Sequence, residues 1–225
     1  MRLRPQVIAP LLVIALSILT LLTRLVTMRA TDAFEAPIVR AAIPLRTPWL
    51  TDLVLPVTFL TSAIPTAVFC ALVSLQRIRS RSPRCWQGWL AAAWPMVAFG
   101  LAAVLNIGLR VAIGRHRPSV TMIDNSFLEI QTGYQRFAFP SGHATSGIIG
   151  FSALVDLAWD HPRLRLPAVV TAVLMVLGTG FGRVYLGVHW PTDVLGGYAL
   201  GVLCCGVALS VAGNRRTCRP GRVVR

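Results

Sequence analysis

Long apolar stretches separated by short charged ones set the pattern of the chain. Six intervals contain no Asp, Glu or Arg: 5–23, 53–76, 85–109, 137–155, 166–182 and 194–214, running 19, 24, 25, 19, 17 and 21 residues. A helix rises about 1.5 Å per residue, so a hydrocarbon core about 30 Å thick takes roughly 20 apolar residues of it. Helices satisfy their own backbone groups, which lipid cannot do. Six transmembrane helices are therefore predicted. Alternating apolar and polar positions are absent, which argues against a β-barrel. The expected fold class is all-α and integral to the membrane.

The segments between the intervals refine this. Residues 29–52 mix Asp32, Glu35, Arg40 and Arg46 with Pro37, Pro44 and Pro48, and read as an outer loop with a short interfacial helix. Trp49 suits the headgroup level. The first interval is long for a signal peptide and no small-residue cleavage site follows it, so it reads as a retained anchor helix. Gly178 with Gly182, and Gly197 with Gly201, have the small-xxx-small spacing that lets helix backbones approach closely. No internal repeat is visible, so the inverted-repeat signature of many transporters is missing.

Composition sharpens the class. Of 225 residues, 55% are hydrophobic and 13% charged, against about a quarter charged in soluble domains. A soluble globule, a disordered chain and a collagen-like repeat are excluded. All 22 basic residues are arginine, consistent with a GC-rich bacterial genome, and the net charge is +14. Nucleic-acid binding does not follow, because the arginines flank apolar segments. With the N-terminus in the cytoplasm, thirteen arginines fall on cytoplasmic segments, five of them in the tail 215–225, and six spans return the C-terminus to that side. Both termini are expected there, in a bacterial plasma membrane. Cys70, Cys204 and Cys205 lie inside apolar runs and read as small core residues.

The outward arginines need another explanation, and it lies in three polar clusters that span counting puts on the outer side. The first runs from Arg110 to Arg117-Pro118, after the third interval. The second is Pro140-Ser141-Gly142-His143, opening the fourth. The third runs from Gly182-Arg183 to His189 and Asp193, between the fifth and sixth. Arg110, Arg117 and Arg183 can converge on one anion with planar, bidentate donors. A helix starting at Ser141 brings unpaired N–H groups and a positive dipole end, and Gly142 admits the anion close to the backbone. Asp193, four residues after His189, can meet one imidazole nitrogen, fix the tautomer and leave the other as a nucleophile. His143 is available as general acid. His116 has no evident partner and His161 lies in a cytoplasmic loop. Asp124 and Glu129 form no metal-binding carboxylate cluster. Asp156 and Asp160 are expected to pair with Arg163 or Arg165.

These residues resemble the signature of the type 2 phosphatidic acid phosphatase superfamily: K-x6-R-P, then P-S-G-H, then S-R-x5-H-x3-D. Here the motifs read Arg110-x6-Arg117-Pro118, Pro140 to His143, and Gly182-Arg183-x5-His189-x3-Asp193, so every spacing matches between 110 and 193. Arginine replaces lysine at 110, and glycine replaces serine at 182, which removes a hydroxyl donor. The resemblance implies one membrane-embedded phosphatase domain over 1–225, its motif-bearing core at 85–212. It also implies catalysis through a phosphohistidine on His189, with Asp193 orienting it and His143 protonating the leaving oxygen and then activating water. Arg110, Arg117, Arg183, Ser141 and the Gly142 N–H would hold the phosphate oxygens. No metal or cofactor is implied.

A site at the outer interface suits a lipid whose phosphate lies at headgroup depth; the expected partners are that lipid phosphate and the membrane lipids, with no nucleic acid and the oligomeric state left open. The resemblance suggests a polyprenyl diphosphate. Phosphatidylglycerophosphate, phosphatidic acid, diacylglycerol pyrophosphate and polyprenyl phosphoribose phosphate are the rivals. The same site would also serve a lipid phosphotransferase, and a transporter or scaffold is the reading outside enzymology. The missing accessory domain argues against a soluble vanadium haloperoxidase.

Overall fold

A computed structural model describes residues 5–81, 85–118 and 136–213. Asp124, Glu129 and the tail 215–225 lie outside these ranges. The described chain is helical: α1 (Pro5–Thr27), α2 (Asp32–Ala42), a 3-10 turn (Ile43–Leu45), α3 (Pro48–Leu60), α4 (Ala63–Arg81), α5 (Trp86–Ile113), α6 (Gly142–Ala158), α7 (Pro162–Tyr185) and α8 (Pro191–Gly213). Among the described residues α1, α5, α7 and α8 are each long and apolar enough to cross a membrane, and α3 with α4, a pair bent at a short break, are together long and apolar enough to count as a fifth candidate. Large apolar side chains face outward along them, Val13, Val104, Leu166 and Leu174 among them. In water such a surface would drive aggregation; it is the surface lipid requires.

Two of the six expected spans take a different form. The interval 53–76 is broken: α3 and α4 meet at 48° around Thr61 and Ser62. Pro65 has no N–H to offer the Thr61 carbonyl, and the Thr61 hydroxyl bonds back to the carbonyls of Val57 and Thr58. Both effects interrupt the helical ladder at that point. The interval 137–155 divides as well. Residues 137–141 are not helical, and α6 begins at Gly142 and runs only 17 residues. α6 packs between α4, α5, α7 and α8, while α8 also lies against α1 and α5.

The glycine stripes pack as their spacing predicts, each against its own neighbour. A Cβ on Gly197 would sit 2.5 Å from the Ser141 carbonyl oxygen, and one on Gly201 would sit 2.7 Å from Ile148, so α8 closes on α6. A Cβ on Gly182 would meet Val54 at 2.8 Å and Thr58 at 2.9 Å, and one on Gly178 would touch Val57, so α7 closes on α3. Cys70, Cys204 and Cys205 are free thiols in the core, as read from the sequence.

At the end of the bundle away from Ser141 and His189, Asp156 does not pair with Arg163 or Arg165. It is buried, accepts a bond from the Trp94 indole at 2.7 Å and forms an ion pair with Arg77. The cause is helical phase: Asp156 sits on the inner face of α6, and Arg77 of α4 is the cation that reaches it. Arg165 instead donates to the Trp159 carbonyl and stacks on that ring.

Candidate active site

The three polar clusters come together at one end of the bundle. α5 ends at Ile113, where Gly114 takes a left-handed conformation (φ 63°) and its N–H closes on the Arg110 carbonyl. This C-cap turns the chain so that 115–118 runs back against 136–139, with the Ala138 N–H bonded to the Arg115 carbonyl at 2.7 Å. Phe139 seats against Gly196, where a Cβ would lie 2.6 Å from its ring. Arg110 Nε and Asn106 Nδ2 both donate to the Pro140 carbonyl, at 3.2 and 3.3 Å. Ser141 is the N-cap of α6, and its N–H donates to the Asp193 carbonyl.

The third cluster is a helix–turn–helix corner. After α7 ends at Tyr185, Gly187 adopts φ 71°, and the N–H groups of Val188 and His189 fold back onto the Arg183 carbonyl. Trp190 precedes α8 and Pro191 opens it, where a missing N–H costs nothing. Asp193, in the first turn, reaches back to accept from the Trp190 N–H at 2.8 Å, a capping-box geometry with an acid at the third position.

His189 is fully buried at this corner. Its Nδ1 faces Asp193 Oδ2 at 3.4 Å, and its Nε2 lies 3.2 Å from Arg117 Nη1. A guanidinium only donates, so Nε2 accepts and the ring proton belongs on Nδ1, toward the carboxylate. Arg117 Nη1 also donates to the Val188 carbonyl at 2.8 Å. Burial first, and then the charges of Arg117, Arg183 and Arg110 with His143, hold the His189 pKa well below the ordinary histidine value. His143 sits half-buried in the first turn of α6. Ser141 is fully buried and its hydroxyl has no hydrogen-bond partner among the described residues. Gly142 leaves the space its glycine promised: a Cβ there would stand 3.3 Å from Arg110 Nη2.

All eight residues singled out from the motifs therefore lie at one end of the bundle, and His116 does not join them. Its carbonyl accepts from the Trp190 indole while its ring packs edge-on against Phe137. The sequence reading missed Arg115 and Glu35. Arg115 donates to Asp193, Thr192 and Glu35, and Glu35, from α2, is buried against the start of α8. A signal for Glu35 existed: Thr31, Glu35, Val39 and Ala42 recur at helical spacing and form the buried face of that segment. Among the described residues no group of three or more His, Cys, Asp or Glu side chains is placed to hold a metal ion.

Apolar helices of membrane-crossing length around a cluster of arginines and histidines define a membrane protein, one end of which suits a phosphate-like anion. The chain belongs to the PAP2 superfamily, which residues 91–217 match, a family of lipid phosphatases. Phosphatidylglycerophosphatase B of Bacillus subtilis is 28% identical over 179 residues, covering 77% of this chain and 81% of that protein. Decaprenylphosphoryl-5-phosphoribose phosphatase of Mycobacterium tuberculosis is 34% identical, over 61% of this chain and 68% of its own length. The undecaprenyl-diphosphatase of Sulfolobus acidocaldarius is 29% identical, over 47% of this chain and 48% of its own. The crystal structure of a transmembrane PAP2-type phosphatidylglycerolphosphate phosphatase from Bacillus subtilis superimposes with a TM-score of 0.75 at 25% identity, covering 92% of this chain and 98% of that one.

Proposed function

We propose that the protein removes the terminal phosphate from a membrane lipid, a phosphomonoester or diphosphate, through a phosphohistidine on His189, without a metal. The single observation that carries this reading is the His189 environment. It is a buried imidazole with its protonated nitrogen toward Asp193 and its acceptor nitrogen against the guanidinium of Arg117, with the charges of Arg183 and Arg110 also acting on the ring.

The steps follow from that geometry. A phosphate dianion draws the three arginines, Arg117 leaving Nε2 for the new oxygens. The Ser141 hydroxyl and the N–H groups at the start of α6 complete the cradle. Nε2 then attacks phosphorus in line, the P–O bond to the lipid breaks, and His143 gives the leaving oxygen its proton. Asp193 offsets the positive charge that develops on the imidazole. In the second half His143 takes a proton from water, which attacks phosphorus and releases inorganic phosphate and free His189. Fixed positive charge around the transferring group supplies most of the barrier lowering.

Polyprenyl diphosphate is the substrate suggested by the motif reading. Phosphatidylglycerophosphate is the second reading, favoured by the relative that matches over 77% of the chain. The proposed arrangement is a single domain of six crossings, both termini cytoplasmic and the site outward, with α6 as a short inner crossing. The test is phosphate release by purified protein from a panel holding both lipids and phosphatidic acid, with and without EDTA. Release is expected to survive EDTA and to vanish in His189→Ala. Dependence on added divalent ion, or turnover by the alanine variant, overturns the mechanism, and transfer of phosphate to an added alcohol in place of release makes the protein a transferase.

A further inference from the structure

We infer that Glu35 of α2 and Arg115, which follows α5, form a buried ionic relay that positions Asp193, and through it the His189 imidazole. This rests on the proposed role of His189.

Asp193 is poorly placed to hold His189 by itself. Its Oδ2 is 3.4 Å from Nδ1, at the long limit of a hydrogen bond, and the same oxygen already accepts from the Trp190 N–H. The firm contact is on the other oxygen, where Arg115 Nη1 donates to Oδ1 at 2.8 Å. Arg115 is held in turn. Its Nη2 donates to Glu35 Oε2 at 2.5 Å and to Thr31 Oγ1 at 3.2 Å, with Asp32 at 3.5 Å, and its Nη1 also reaches Thr192 Oγ1. Glu35 then closes the circuit: Oε1 accepts from both the N–H and the hydroxyl of Thr192, each at 2.7 Å. A carboxylate from α2 thereby caps the positive end of α8, one residue from Asp193.

The charge pattern gives this network its purpose. Two carboxylates at one helix start would repel each other, and Arg115 between them binds both. Arg115 stays charged despite burial, because Asp193 and Glu35 together outweigh the desolvation. None of the three side chains is more than a tenth exposed. Arg115 is separate from Arg110, Arg117 and Arg183: both its Nη groups donate to carboxylates and hydroxyls, so it serves as a positioning residue.

Glu35→Gln keeps the shape, and its amide oxygen can still accept from Thr192, but it places an NH2 against Arg115. Arg115→Lys keeps the charge but loses the fork that bridges two acids. The experiment reads each variant by 15N–1H NMR of the imidazoles in detergent and by phosphate release from phosphatidylglycerophosphate and undecaprenyl diphosphate. The chain has four histidines, and His189→Gln assigns the resonance of interest. Expected in both variants are a changed His189 tautomer signature and a kcat lower by about ten- to a hundredfold, the size of effect that outer partners have on the histidines they orient in metal sites, with KM within about twofold. Should Glu35→Gln fail to fold, Thr192→Val removes one hydroxyl from the relay and is expected to act in the same direction, less strongly. A wild-type His189 signature together with wild-type kcat in Glu35→Gln and Arg115→Lys overturns the relay. If the wild-type chain releases phosphate from no lipid while the His189 signature still shifts in the variants, the relay stands and the hydrolase reading falls.

Discussion

A histidine serves as a nucleophile only when neutral, and at position 189 neutrality comes from burial and surrounding arginines acting together. Both effects disfavour the imidazolium, so protonation of the free enzyme falls below the ordinary histidine range near 6.5. The sign of a mutational test follows. Arg117→Gln removes one positive charge 3.2 Å from Nε2, which raises the His189 pKa. As pH falls, the neutral form is then lost earlier, and the acid limb of kcat/KM moves to higher pH relative to wild type, in addition to a lower plateau. Comparing the two profiles on one lipid cancels the ionisation of the substrate itself, and an unmoved limb would separate Arg117 from the imidazole. Gly182 is the other informative residue. The family pattern has serine there, yet in this chain the Cβ direction points at Val54 and Thr58 within 3 Å. Restoring the serine is expected to overpack α3 against α7 and to lower stability by about 1–3 kcal/mol, measured as an earlier thermal midpoint in detergent.

Helices here carry their polar residues inward. Of eight acidic residues, Glu35, Asp156 and Asp193 are buried, and each faces an arginine. Segment α2 shows the inversion plainly: Glu35 is enclosed while Phe34 and Ile38 are exposed. In a soluble protein that phase would be wrong; beside lipid it buries the charge and leaves the apolar face to the membrane. The Arg77–Asp156 pair joins α4 to α6 in the same way. Arg77→Ala strands a buried carboxylate and is expected to cost about 3–5 kcal/mol, whereas the double replacement Arg77→Met with Asp156→Leu is expected to recover most of that loss. Equal instability of the single and double variants in detergent unfolding would show that packing dominates charge there.

For the molecule as a whole, the site lies at one end of the helices, so sidedness decides which leaflet supplies substrate. In the proposed arrangement the α2 end is extracytoplasmic and the far end of α4 is cytoplasmic. A cysteine at Arg40, an exposed polar position on α2, is expected to react with a membrane-impermeant thiol reagent in intact cells. A cysteine at Ser80, near the end of α4, is expected to react only after permeabilisation. The reverse pattern would turn the active site toward the cytoplasm.

Charge-free intervals found every long helix, because lipid tolerates few ionised side chains and a helix has a fixed rise. The motifs singled out eight residues that the fold brings to one end of the bundle, because phosphate chemistry demands particular side chains at particular separations along the chain. The break at Thr61, the short start of α6, the partner of Asp156 and the relay through Arg115 and Glu35 were not legible in that way. Each depends on which faces of distant helices meet: Glu35 is 157 residues from the Thr192 it caps, and Arg77 reaches Asp156 only because α4 packs on α6. Spacing along one strand of sequence constrains residues on one helix, whereas a buried charge selects its partner in three dimensions, where desolvation leaves it none but the one that packing brings near.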